Sequence, residues 1–136
     1  MKIEWIILAE GLGTASNGAV TAIGVNQNLI VTPSLPATTK RAILAHVTAD
    51  EGTLAGFEFG VSITVLGPSG QAIVTQTGMA KAGTPLRPDL PVSVDVFTEF
   101  PVTLQEYGTH VVQVRVSALD GAEEMGGVNF YVLAPQ

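Results

Sequence analysis

The sequence contains no cysteine. Disulfide frameworks, thiolate metal sites and cysteine nucleophiles are therefore excluded, and the redox compartment is left open. Charge is also scarce. Asp, Glu, Lys and Arg make up 13% of the chain, against about 25% in an average soluble domain. The balance is acidic, with a formal charge of −6. Duplex nucleic acid repels such a surface, and no Lys or Arg cluster stands ready for phosphate. Anionic membranes are disfavoured on the same ground. No apolar run approaches the ~20 residues needed to span a bilayer. The opening "MKIEWIILAEG" is not a signal peptide: its apolar run, Trp5 to Ala9, is too short for the hydrophobic region, and Glu4 interrupts the approach. A cytoplasmic protein is the expectation.

The 136 residues are close to the commonest size for one domain. A chain of this length buries roughly two-thirds of its unfolded surface, enough for a core without metals or disulfides. A single domain over 1–136 is expected. The pattern within it has period two. Phe57, Phe59, Val61, Ile63 and Val65 alternate with Glu58, Gly60, Ser62 and Thr64, as in a half-buried antiparallel strand. "LGPSGQ" supplies a Pro-Ser-Gly turn into a return strand, Ala72 to Thr77. Val92, Val94 and Val96 alternate with Ser93 and Asp95. Val111 to Ala118 leads through Asp120-Gly121 to a last strand, Gly127 to Leu133. At the front, Lys2 to Ala9 is apolar on both faces after Trp5 and reads as an interior strand. "GLGTASNG" makes a loop, and Ala19 to Val25 returns. Leu29 to Thr32 and Ala42 to Ala49 complete the set.

No segment of ten or more residues carries a helical stripe, and Pro101 argues against a helix within Thr98 to Tyr107. Prolines at 33, 36, 85, 88 and 91 fall between strands. The expected fold is all-β: an antiparallel sandwich of about eight strands with its Val-rich faces inward, and a closed barrel as the alternative.

The run Glu106-x-Gly108-x-His110-x-Val112 is similar to the acidic-x-Gly-x-Tyr-x-Cys motif of strand F in immunoglobulin-like domains. His110 stands where that motif has its corner tyrosine, and Val112 where it has cysteine. The resemblance implies a structural corner of Glu106, Gly108 and His110. A wider likeness covers most of the chain. Leu8-Ala9-Glu10, the strand Gly18 to Gly24, the segment Pro33 to Pro36, "LGPSGQ", then Pro88-Asp89-Leu90-Pro91 and a closing Gly-x-aromatic strand occur in one order. The order resembles the layout of a family of small uncharacterised bacterial proteins. It implies a single immunoglobulin-like sandwich and carries no catalytic residue over.

Candidate chemistry is sparse. "GLGTAS" follows a strand, but Ser16 stands where a dinucleotide loop has its third glycine, and Val20-Thr21-Ala22-Ile23 reads as a strand. Without a helix N-terminus there is no row of free N–H groups for a pyrophosphate. His46 and His110 are the only histidines, too few for the three protein ligands of a catalytic zinc. His46 shares a strand face with Leu44 and reads as a structural or surface residue. Ser69 belongs to its turn, and no Gly-x-Ser-x-Gly elbow occurs. Asp50, Glu51, Asp89, Asp120, Glu123 and Glu124 fall in predicted loops, where calcium could gather them, but no Asp-x-Asp pattern brings several oxygens together. Trp5, Tyr107 and Tyr131 are few for a sugar-stacking platform.

The sequence therefore predicts a protein that is not an enzyme, with no cofactor and no metal. It would act as an interaction or assembly module and self-associate, or meet another protein, through outward Val111, Leu66 and Ile6. Neither nucleic acid nor a membrane is an expected partner. The alternative is a module holding a carbohydrate, a peptide or calcium in the loops at one end. His110 is expected on the core side, with a ring nitrogen bonded to nearby backbone. His110→Tyr should be tolerated, whereas His110→Ala should lose about 1–3 kcal/mol in urea unfolding, through lost packing and an unpaired backbone group.

Overall fold

The computed structural model describes residues 1–25, 28–49, 58–84 and 87–136. Asp50, Glu51, Phe57 and Pro85 lie outside the described residues. Among the described residues there are nine strands and no helix. They are β1 (Lys2–Thr14), β2 (Val20–Val25), β3 (Leu29–Val31), β4 (Ala37–Ala49), β5 (Glu58–Leu66), β6 (Ala72–Lys81), β7 (Val92–Leu104), β8 (Gly108–Ala118) and β9 (Glu123–Leu133). Two sheets form, ordered β2-β1-β4-β7 and β3-β9-β8-β5-β6. All pairs are antiparallel except β3 with β9. The fold is a β-sandwich, not a closed barrel. The run β9-β8-β5 matches the G-F-C sheet of an immunoglobulin-like domain, with β6 added beside C, and β4-β7 matches its B-E pair.

Alternation explains the core. Val61, Ile63 and Val65 of β5, Val112, Val114 and Val116 of β8, and Ile43, Ala45 and Val47 of β4 are all buried. Phe59, Phe100 and Phe130 are the largest side chains among them. Each of these positions is separated from the next by a residue on the opposite face, as the strand period requires. The outer face of the β5 sheet is polar on its central strands, with Ser62, Thr64, Gln113 and Arg115 outward, and carries exposed Leu29, Val31, Met79, Met125, Tyr131 and Leu133 on β3, β6 and β9. That of the β4 sheet presents Trp5, Ile23, Val25 and Phe97, each more than a third exposed.

Several elements run longer than their local pattern predicts. "GLGTASNG" is not a loop throughout: Gly11 to Thr14 pair with Ile23 to Val20, and the turn is confined to residues 15–19. β7 continues through Pro101 to Leu104 because it is an edge strand, where the missing N–H faces away from the ladder. β4 starts at Ala37, its polar first turn held by pairing with β7 from Ala37↔Leu104 onward. Glu123 and Glu124 are strand residues opposite Ser117 and Val116, because the link after Ala118 closes with Ala118 N donating to Ala122 O at 2.8 Å.

Glu99 ties β7 to β1 across the small Ala42 of β4. Its carboxylate accepts from Lys40 Nζ at 2.6 Å and from the Leu12 amide at 2.7 Å. The Lys40 contact first, and the Leu12 N–H second, hold the Glu99 carboxyl below its ordinary value of 4.5. A carboxyl lowered by folding stabilises the native state above its unfolded pKa, and that contribution disappears as the pH falls through the lowered native value. Glu99→Gln should therefore be less stable than wild type at neutral pH, and the gap should close on acidification below about 4.5. Urea midpoints measured across pH check the sign.

Candidate functional site

β6 closes one end of its sheet and β7 closes one end of the other, on the same side of the sandwich. No further strand covers the gap between them among the described residues. A cleft of about 300 Å³ opens there. Its floor is core: Val61 and Ile63 of β5 and Val96 of β7. Ala80 and Met79 of β6 and Phe97 of β7 form the walls, with Met79 and Phe97 largely exposed at the rim. Gln76 and Thr98 face each other across the cleft, and Thr98 Oγ1 donates to Gln76 Oε1 at 3.0 Å. Asp95 also lines it.

Gly78 lies in the middle of β6, opposite Val61, beside this cleft. Its φ is not in the left-handed region, and a Cβ built there meets nothing within 4 Å. Neither backbone conformation nor packing requires glycine, yet glycine in a strand interior costs about 0.5–1 kcal/mol relative to alanine. The missing side chain keeps the wall low over Val61.

Asp95 also belongs to a second group, on the outer face. His46 Nδ1 stands 2.7 Å from Asp95 Oδ1, and the His46 ring stacks on Trp5 at 5.2 Å with a 10° interplanar angle. A β-bulge between Ile3 and Trp5 turns both Glu4 and Trp5 toward solvent. Glu4 accepts from Thr48 Oγ1 at 2.7 Å and pairs with Lys2 at 3.0 Å. The Thr48 hydrogen bond, then that of Lys2, lowers the Glu4 carboxyl. His46 thus shares a row with Trp5 and Asp95, residues that are far apart in the chain.

The other histidine is elsewhere and inside. His110 is fully buried on β8, stacked on Phe130 at 4.9 Å. Its Nδ1 lies 3.1 Å from Gly108 O. A carbonyl only accepts, so Nδ1 carries the proton and Nε2 presents a lone pair, buried and without a partner among the described residues. Gly108 has φ 127°, a conformation that favours glycine, and a Cβ there would make a tight contact, 3.2 Å from Pro68 Cγ. Glu106 accepts from Ser69 Oγ and Gln71 Nε2, joining the β5–β6 turn to the start of β8. Ser69 also bonds Gln71.

The described acidic residues expected in loops, Asp89, Asp120, Glu123 and Glu124, do not converge. Asp89 is paired with Arg87 at 2.6 Å, Asp120 accepts from the Ala122 amide at 2.9 Å, and Glu123 and Glu124 lie on β9. Among the described residues no three His, Asp or Glu side chains gather as metal ligands. Little in the sequence marks the cleft. The one local signal was Gly78 inside an otherwise regular strand, a mark of weak strand packing or close approach.

No family model and no curated protein matches the chain. Among solved structures it is similar to CopC from Methylosinus trichosporium OB3b, with 17% identity over 81% of this chain and 88% of that one, at a TM-score of 0.30. The expected interaction and assembly module is corrected here: the contact points named for it are not open surface, since Ile6 packs against the core, and Val111 and Leu66 are half-buried opposite each other.

Proposed function

We propose that the protein is a non-catalytic binding protein that holds a small apolar molecule in the cleft between β6 and β7. The observation that carries this reading is the cleft of about 300 Å³ floored by the core residues Val61, Ile63 and Val96. Ligand sites combine such an apolar floor with a few placed polar groups, here Gln76 and Thr98. Gly78 supports the same reading. A residue that weakens its strand, with no local compensation, is the kind of departure found where function outweighs stability. The non-catalytic part rests on the side chains that could do chemistry. Ser69 is engaged by Gln71 and Glu106, His110 is enclosed by the core, and His46 lies flat against Trp5. We infer further that the chain belongs with the small bacterial sandwich proteins whose layout it resembles.

Gly78→Val separates stability from binding. A β-branched side chain suits the strand and should raise the unfolding free energy by about 0.5–1 kcal/mol. It should also weaken binding of the neutral apolar fluorophore N-phenylnaphthylamine at least several-fold. Thermal unfolding and fluorescence titration read the two effects. Wild-type protein that leaves the fluorophore dark, or a variant that binds it as well as wild type, would overturn the cleft as a binding site.

A further inference from the structure

The lining of the cleft also selects the charge of its occupant. The geometry points to an apolar molecule with a cationic head, an alkylamine or alkyl quaternary ammonium, whose tail lies on Val61, Ile63 and Val96 and whose head meets Asp95 and Phe97. This inference rests on the cleft being a binding site. Three observations carry it.

First, the residues around the cleft include one charged side chain among the described residues, Asp95, and no Lys or Arg. A carboxylate, sulfate or phosphate head would find no counter-charge there and would meet a carboxylate. The chain as a whole, at −6, adds to that repulsion. Second, Phe97 stands two residues along β7 from Asp95, on the same side of the strand, and is 48% exposed. An exposed aromatic face attracts an ammonium through its ring quadrupole, and the attraction grows when the cation is partly desolvated. A carboxylate beside an aromatic face is a combination that suits a quaternary ammonium, which offers no N–H and gains nothing from hydrogen-bond acceptors alone. Third, Asp95 is held in place. His46 Nδ1 lies 2.7 Å from Asp95 Oδ1, and His46 is itself fixed against Trp5. With one oxygen engaged on the outer face, the carboxylate remains at the edge of the strand and does not sweep through solvent. His46 and Trp5 are thus positioning residues for the head-group contact.

The alternation of β7 accounts for tail and head together. Val96 points inward to the floor, while Asp95 and Phe97 on either side of it point outward to the rim. An amphiphile lying across this edge meets core first and charge second. Gln76 and Thr98, already bonded to each other, close the far wall with neutral groups.

Octyltrimethylammonium, octyl sulfate and octanol share one tail and differ in the head. Isothermal titration of each into the wild-type protein, below the concentration at which micelles form, tests the inference. The cation is expected to bind most tightly and the sulfate most weakly. Asp95→Asn should lower the affinity for the cation about fivefold and leave octanol unchanged, and added salt should reduce the wild-type preference. Phe97→Leu should lower the affinity for the cation more than that for octanol. Equal binding of all three heads would overturn the cationic ligand while leaving the cleft as an apolar site. Binding of none would overturn the cleft reading itself. A preference for the sulfate, or a cation preference unchanged in Asp95→Asn, would also overturn the inference.

Discussion

Everything in this molecule depends on two Val-rich faces meeting in a single dry layer. Each long strand contributes alternate residues to that layer: Val61, Ile63 and Val65 from β5, Val112, Val114 and Val116 from β8, Ile43, Ala45 and Val47 from β4. Burying these faces is the main favourable term, and the ladders satisfy the backbone groups that must be buried with them. The same alternation decides what stands outside. Once Val94 and Val96 face the core, Asp95 and Phe97 cannot. On an inner strand that would be a detail of surface composition. On β7, an edge strand, it places a carboxylate and an aromatic ring immediately beside exposed core.

Edges are where a sandwich has to end, and the two edges on this side end differently from an ordinary protected edge. Pro101 removes a donor from β7, and a register shift between Val65 and Leu66 disturbs the start of β6, both familiar ways of blunting an edge. Further along β6 lies Gly78, with open space where a side chain would pack. The hydrogen bond from Thr98 to Gln76 bridges the gap without filling it. The result is a cleft whose floor belongs to the core and whose walls belong to two separate sheets.

The two histidines show how strongly environment assigns role. His110 and His46 are both on β-strands in the middle of sheets. His110 points inward, gives its Nδ1 proton to Gly108 O two residues back and stacks on Phe130. It packs inside the core, with a lone pair on Nε2 that has no partner among the described residues. His46 points outward, stacks on Trp5 and orients Asp95. One histidine is enclosed by the core, whereas the other joins Trp5 and Asp95 in a row on the outer face.

Much of the architecture was legible locally. Period-two alternation marks β5, β7 and β8, and the Pro-Ser-Gly and Asp-Gly turns mark their connections. The all-β class and the inward direction of His110 follow from that alternation, because the face a strand residue occupies depends only on its neighbours two positions away. Element lengths were less legible. The polar first turn of β4 and Pro101 in β7 interrupt the local pattern, and only their pairing with each other extends both strands.

The site belongs to the tertiary structure. Alternation says which residues share a face but not which strands lie side by side, nor which strand is last in its sheet. Those are outcomes of long-range pairing: β1 sits between β2 and β4, and β4 pairs with β7. Only that order brings His46 to Asp95 across 49 residues of chain, and sets Gln76 opposite Thr98. The sequence by itself determined a Val-cored sandwich with few charges. Whether Asp95 is one more solvated surface acid or, among the described residues, the single charge lining an open apolar cleft was decided by the strand order, because an edge exists only relative to the strands beside it.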